Sequence, residues 1–208
     1  MIGFYNYTVI LTYIGLASSV LGIFTSFDGK PTMAVICLII AGICDMFDGK
    51  IARTMDRTLM EKRFGIQIDS LCDLVSFGIL PAAIGYSLTG YKLSVVLVYT
   101  MYILAAVIRL AYYNVTEEIR QDNETGEREY YEGLPVTNIT IIVPLLFIFK
   151  RFIKDAIFAN VYVVILFIVG CAFVTGFKVK KHPFSSKNKG LNENNDTDVD
   201  EKYSKRIN

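Results

Sequence analysis

A single histidine, His182, and four cysteines that stand alone (Cys37, Cys44, Cys72 and Cys171) leave this 208-residue sequence short of zinc or thiol chemistry. No C-x-x-C pair occurs, and isolated cysteines in apolar segments read as small buried hydrophobes rather than as a disulfide framework. Alternating strand patterns are missing as well. The apolar runs are too long and continuous for them, and lipid admits only helices or closed barrels. No fixed-period repeat is present. The N-terminus lacks the basic region and small-residue cleavage site of a secretory signal, so residues 8–27 are expected to be retained as a span. A net charge of only +1 gives no reason to expect a nucleic acid or acidic partner.

What is present is hydrocarbon. The composition is 53% hydrophobic with a mean hydropathy of +0.42. A bilayer core about 30 Å thick needs about 20 helical residues to cross it. That rule predicts an all-α, integral membrane bundle of six transmembrane helices near 8–27, 31–55, 65–87, 92–112, 135–151 and 156–177. The membrane domain is expected over 1–178. Beyond it, 179–208 turns to Lys, Asn, Asp, Ser and Glu, which cannot bury enough surface to order themselves, so a disordered tail is expected. The acid-rich stretch 117–132 reads as a solvated loop or short helix. Placing both termini in the cytoplasm puts Lys50, Arg53, Arg57, Lys62 and Arg63 on the inner side with Arg109, Arg120, Arg128 and the basic tail. The outer side then keeps only Lys30, Lys92, Lys150, Arg151 and Lys154.

Four aspartates interrupt the oil. Residues 31–44 carry no charge and as a helix cover about 21 Å, which falls short of the bilayer core. The helix must therefore continue through Asp45 and Asp48 to about Arg53, and the next must include Asp69 and Asp73. At about 100° per residue, Asp45, Asp48, Gly49 and Ala52 share one face, while Gly65, Asp69, Asp73 and Phe77 stack four apart on the other helix. Two acidic faces meeting at the cytoplasmic membrane edge repel each other, so a cation must compensate. Oxygen-only ligands suit Mg²⁺ or Mn²⁺. Gly49 and Ala52 leave room for a bulky anion, and Arg53 offers a fork for phosphate oxygens, which together suggest a pyrophosphate site. A divalent-cation carrier would want acids at the midplane or on both faces, and these four lie toward one side. Arg109, alone in an apolar run, is expected to face a cavity or a partner, or to snorkel to the interface.

These residues resemble the signature of the CDP-alcohol phosphatidyltransferase family, Asp-x2-Asp-Gly-x2-Ala-Arg-x8-Gly-x3-Asp-x3-Asp, met here by Asp45, Asp48, Gly49, Ala52, Arg53, Gly65, Asp69 and Asp73. The spacer 54–64 is longer than the family's, and a longer connecting turn is expected to absorb the excess. "GIQIDSLCDLVSFGILPAA" is similar to the corresponding stretch of bacterial phosphatidylserine synthases, as "RLAYYN" and "EGLPVTN" are to later elements of that group. The resemblance implies transfer of a phosphatidyl group from CDP-diacylglycerol to L-serine with release of CMP. Glycerol 3-phosphate or inositol phosphate is the alternative acceptor. It further implies two Mg²⁺ or Mn²⁺ ions held by Asp45, Asp48, Asp69 and Asp73, with Asp73 as general base. Donor phosphates would lie near Gly49, Ala52, Arg53 and Gly65, and serine near Arg109 and Asn114. A homodimer in the cytoplasmic membrane of a bacterium, with its site facing the cytoplasm, completes the expectation.

Overall fold

The computed structural model describes residues 7–52, 58–122, 130–132, 134–176 and 178–180. Apolar continuity makes the first two elements. Helix α1 covers Tyr7–Phe27 and α2 covers Pro31–Ala52, with Gly29 at φ 71° in the turn between them. They pack antiparallel at very short range. A Cβ on Gly15 would stand 3.2 Å from the Cys44 Cβ, and one on Gly22 would stand 2.9 Å from the Cys37 Cβ. Small side chains let backbones approach where lipid supplies no hydrophobic push.

Helix α3, Leu59–Asp73, starts at a capping box in which Thr58 and Glu61 satisfy each other's backbone donors. The helix thus begins inside the 54–64 spacer: residues 59–64 are helical, and the excess expected in a connecting turn is largely an extension of α3. After Asp73 the backbone changes period. Leu74–Ile79 form a π turn, and α4, Leu80–Thr89, carries the same rod onward. Pro81 explains part of this, since it has no N–H to give to the Phe77 carbonyl four residues back. Tyr102 donates to that carbonyl instead, at 2.6 Å, and Tyr162 donates to the Pro81 carbonyl at 2.9 Å.

Helix α5 runs over Leu93–Asp122, and a strand β1, Tyr130–Glu132, follows. A single 3₁₀ turn at Val136–Asn138 leads into α6, Ile139–Phe149, and another at Lys150–Phe152 leads to α7, Asp155–Val174. Strand β2, Lys178–Lys180, pairs antiparallel with β1, Tyr131 opposite Val179. Helix α5 therefore reaches ten residues beyond the expected span end, and a two-stranded ladder replaces part of the loop expected at 117–132. The remainder of the segment expected as a disordered tail lies outside the described residues.

Among the described residues, five helical stretches are long and apolar enough to cross a membrane: Val9–Phe27, Pro31–Gly49, Met60–Thr89, Leu93–Glu118 and Asp155–Val174. The segment expected as a span at 135–151 contains a helix of 11 residues, about 16 Å, between its two 3₁₀ turns. The chain is an integral membrane protein built of helices, with the α3–π–α4 rod the most enclosed element. Phe77, Leu80, Ile84, Tyr102, Tyr162 and Leu166 meet around that rod at 1% exposure or less. Outward faces carry exposed Leu21, Ile43, Leu104 and Ile168, an arrangement that suits lipid contact.

Candidate active site

The acidic pairs sit on the two helices that flank the 53–58 connection. Carboxylate oxygens of Asp45 and Asp48 on α2 and Asp69 on α3 all lie within 4.8 Å of one another. Asp48 is 7% exposed, and Asp45 and Asp69 are half-buried. Asp73 stands outside that trio and lines a recess shared with Thr12, Asp45, Asp48 and Ser76. Gly65, Asp69 and Asp73 follow one another at four-residue intervals along α3, and Phe77, buried in the π turn beyond, lines the same recess as Asp73.

The donor set fits a hard divalent cation. Cys44 and Cys72 line the recess but do not join the group of converging ligand atoms, which is carboxylate only. The salt bridges Lys30–Asp28 and Arg63–Glu118 do not involve these acids. Three carboxylates at such range carry repulsion that a cation relieves.

The other expected residues divide. Gly49 is exposed, and a Cβ there would meet nothing within 4 Å, so open space adjoins the trio. Gly65 is half-buried two turns before Asp73, and Ala52 ends α2. Arg53 lies outside the described residues. Asn114 accepts a 2.8 Å hydrogen bond from Ser70, the neighbour of Asp69, which ties α5 to α3. Arg109 is half-buried on α5 just over one turn earlier.

Sequence reasoning missed the contribution of α1. Thr12 Oγ1 donates to Asp48 Oδ2 at 2.9 Å, and buried Ser19 makes a 2.7 Å hydrogen bond with Ser76 in the π turn. The signal was there: Thr12, Gly15, Ser19, Gly22 and Ser26 recur at spacings of three and four, a small and polar stripe along one helix face.

Comparison with known proteins gives the same direction. The family model described as CDP-alcohol phosphatidyltransferase matches residues 5–175. A CDP-diacylglycerol–serine O-phosphatidyltransferase of Saccharomyces cerevisiae is 29% identical over 188 residues, 81% of this chain and 66% of that protein. An archaetidylserine synthase of Methanothermobacter thermautotrophicus is 32% identical over 128 residues, 61% of this chain and 51% of that protein. A CDP-diacylglycerol–serine O-phosphatidyltransferase of Helicobacter pylori is 27% identical over 143 residues, 68% and 56% of the two chains. The matched part thus spans about half to two thirds of these relatives' lengths.

Proposed function

The chain belongs to the CDP-alcohol phosphatidyltransferase family, and on that premise we propose that it transfers the phosphatidyl group of CDP-diacylglycerol to the hydroxyl of L-serine, giving phosphatidylserine and CMP. The observation that carries the reading is the convergence of Asp45, Asp48 and Asp69 within 4.8 Å beside the open side of Gly49. The likeness to CDP-diacylglycerol–serine O-phosphatidyltransferases favours serine as acceptor.

Asp45, Asp48, Asp69 and Asp73 hold Mg²⁺ or Mn²⁺, two ions in this reading. Bound cations would neutralise the donor pyrophosphate and the charge that develops on departing CMP. The chain's own groups do the rest. Open space at Gly49, with Ala52 and Gly65, admits the nucleotide phosphates, and Arg53 supplies a bidentate donor. Arg109 pairs with the serine carboxylate, and Asn114 lines the acceptor side. Asp73 accepts the serine hydroxyl proton as the oxygen attacks the phosphorus attached to diacylglycerol. One P–O bond forms to serine, and the P–O bond to CMP breaks with its electron pair leaving on CMP.

The setting follows the same reading. The membrane domain covers 1–178 and crosses six times, with 135–151 as the fifth crossing, both termini in the cytoplasm and 179–208 a polar tail. The recess opens to the cytoplasmic face of a bacterial membrane, and the protein works as a homodimer. The deciding experiment measures CMP release by purified protein with CDP-diacylglycerol and Mn²⁺ or Mg²⁺, offering L-serine, glycerol 3-phosphate or inositol phosphate in turn. Serine-dependent release with phosphatidylserine as product is the expected result. Release only with another acceptor overturns the serine assignment, and none with any acceptor overturns the transferase reading.

A further inference from the structure

Helix α1 contributes none of the eight signature positions, yet it touches the most buried of the clustered carboxylates. Thr12 Oγ1 gives its only proton to Asp48 Oδ2 at 2.9 Å. The contact is held in place by the close packing of α1 on α2 that follows it. One turn further along α1, Gly15 lets the backbone come so near α2 that a Cβ would stand 3.2 Å from the Cys44 Cβ, and Cys44 is one turn before Asp48. Two turns beyond, Gly22 repeats the arrangement against Cys37. Thr12–Asp48, Gly15–Cys44 and Gly22–Cys37 thus form successive rungs of one antiparallel seam.

A carboxylate can rotate about its own side chain, and Asp48 has reason to do so. Asp45 and Asp69 place like charge within 4.8 Å of it. A hydroxyl bound to one oxygen opposes that rotation, because turning away would strand a part-buried donor and forfeit the bond. The geometry points to Thr12 as a positioning residue that holds Asp48 in the orientation from which it ligates a divalent cation, so that α1 helps set the cation affinity of a site whose ligands all lie on α2 and α3. The inference deepens the reading of the aspartates as metal ligands and rests on it. Hydrogen-bonding partners behind metal ligands commonly govern affinity in this way.

The test uses the full-length protein in detergent with Mn²⁺ alone, free ion being followed by electron paramagnetic resonance without either substrate. Thr12→Val keeps the shape and removes the donor; it is expected to weaken Mn²⁺ binding about 10-fold or more. Thr12→Ser restores the hydroxyl and is expected to bind close to wild type. Ser18→Ala serves as the matched control, since it deletes a different α1–α2 hydrogen bond, Ser18 Oγ to the Cys37 carbonyl at 3.0 Å. It is expected to lower thermal stability and leave Mn²⁺ affinity unchanged. Thr12→Ala takes the place of the valine variant should that fail to accumulate in the membrane. Unchanged affinity without the hydroxyl overturns the inference, and so does equal weakening by Ser18→Ala, which would mark a merely structural bond. Absence of Mn²⁺ binding by the wild type would instead overturn the metal reading beneath it.

Discussion

Asp73 lines the recess from α3, Gly49 stands in the open beside the acidic trio on α2, and the two can be changed separately. Asp73→Asn keeps the shape of the side chain and removes its ability to accept a proton, so turnover is expected to fall at least about 100-fold. Thermal unfolding in detergent is expected to stay near wild type, and CMP release measured beside it separates the two effects. Gly49→Ala runs the other way. A Cβ there meets no atom of the described chain, and alanine favours a helix by up to about 1 kcal/mol over glycine. The variant is expected to be at least as stable as wild type while its KM for CDP-diacylglycerol rises, because the methyl group fills space meant for phosphate. Steady-state kinetics at saturating serine would show this, and an unchanged KM would remove Gly49 from the donor site.

Between residue and molecule stands the rod of α3, the π turn and α4. Its change of period after Asp73 depends on hydroxyls arriving from other helices. Tyr102→Phe leaves the Phe77 carbonyl buried without that donor and is expected to cost about 1–3 kcal/mol, read as a lower unfolding midpoint together with lower activity. The same element shows where sequence reading stops. Asp45, Asp48, Asp69 and Asp73 were legible because local helical spacing alone aligns them, and three of the four do converge. "LVSFGI" carries no mark of a π turn: what permits it is Pro81 downstream, and what holds it is Tyr102 on α5 and Tyr162 on α7. Thr12 and Asp48 are 36 positions apart, and only the packing of α1 on α2 makes them partners. Lys178–Lys180 read as the approach to a charged tail because three residues are too short to show an alternating pattern, and their partner strand lies far back in the chain.

At the scale of the whole molecule, the proposed cytoplasmic placement of the aspartates predicts a topology that can be measured. After replacement of the four native cysteines, single cysteines at exposed Lys92 and Lys154 are expected to react with a membrane-impermeant maleimide on intact cells. A cysteine at exposed Lys62 is expected to react only after lysis; the reverse pattern would turn the protein over. The ladder between β1 and β2 adds a temporal dimension. A membrane protein enters its bilayer in chain order, so α2 and α3 are in place with every clustered carboxylate before α7 exists. Tyr162, which steadies the rod at Pro81, arrives only with α7, and the clasp between Tyr130–Glu132 and Lys178–Lys180 cannot close until residue 180 has been made. A nascent chain halted after α6 would thus hold its acids in the bilayer with the rod only partly buttressed, so that maturation of the recess belongs to the closing stage of biosynthesis.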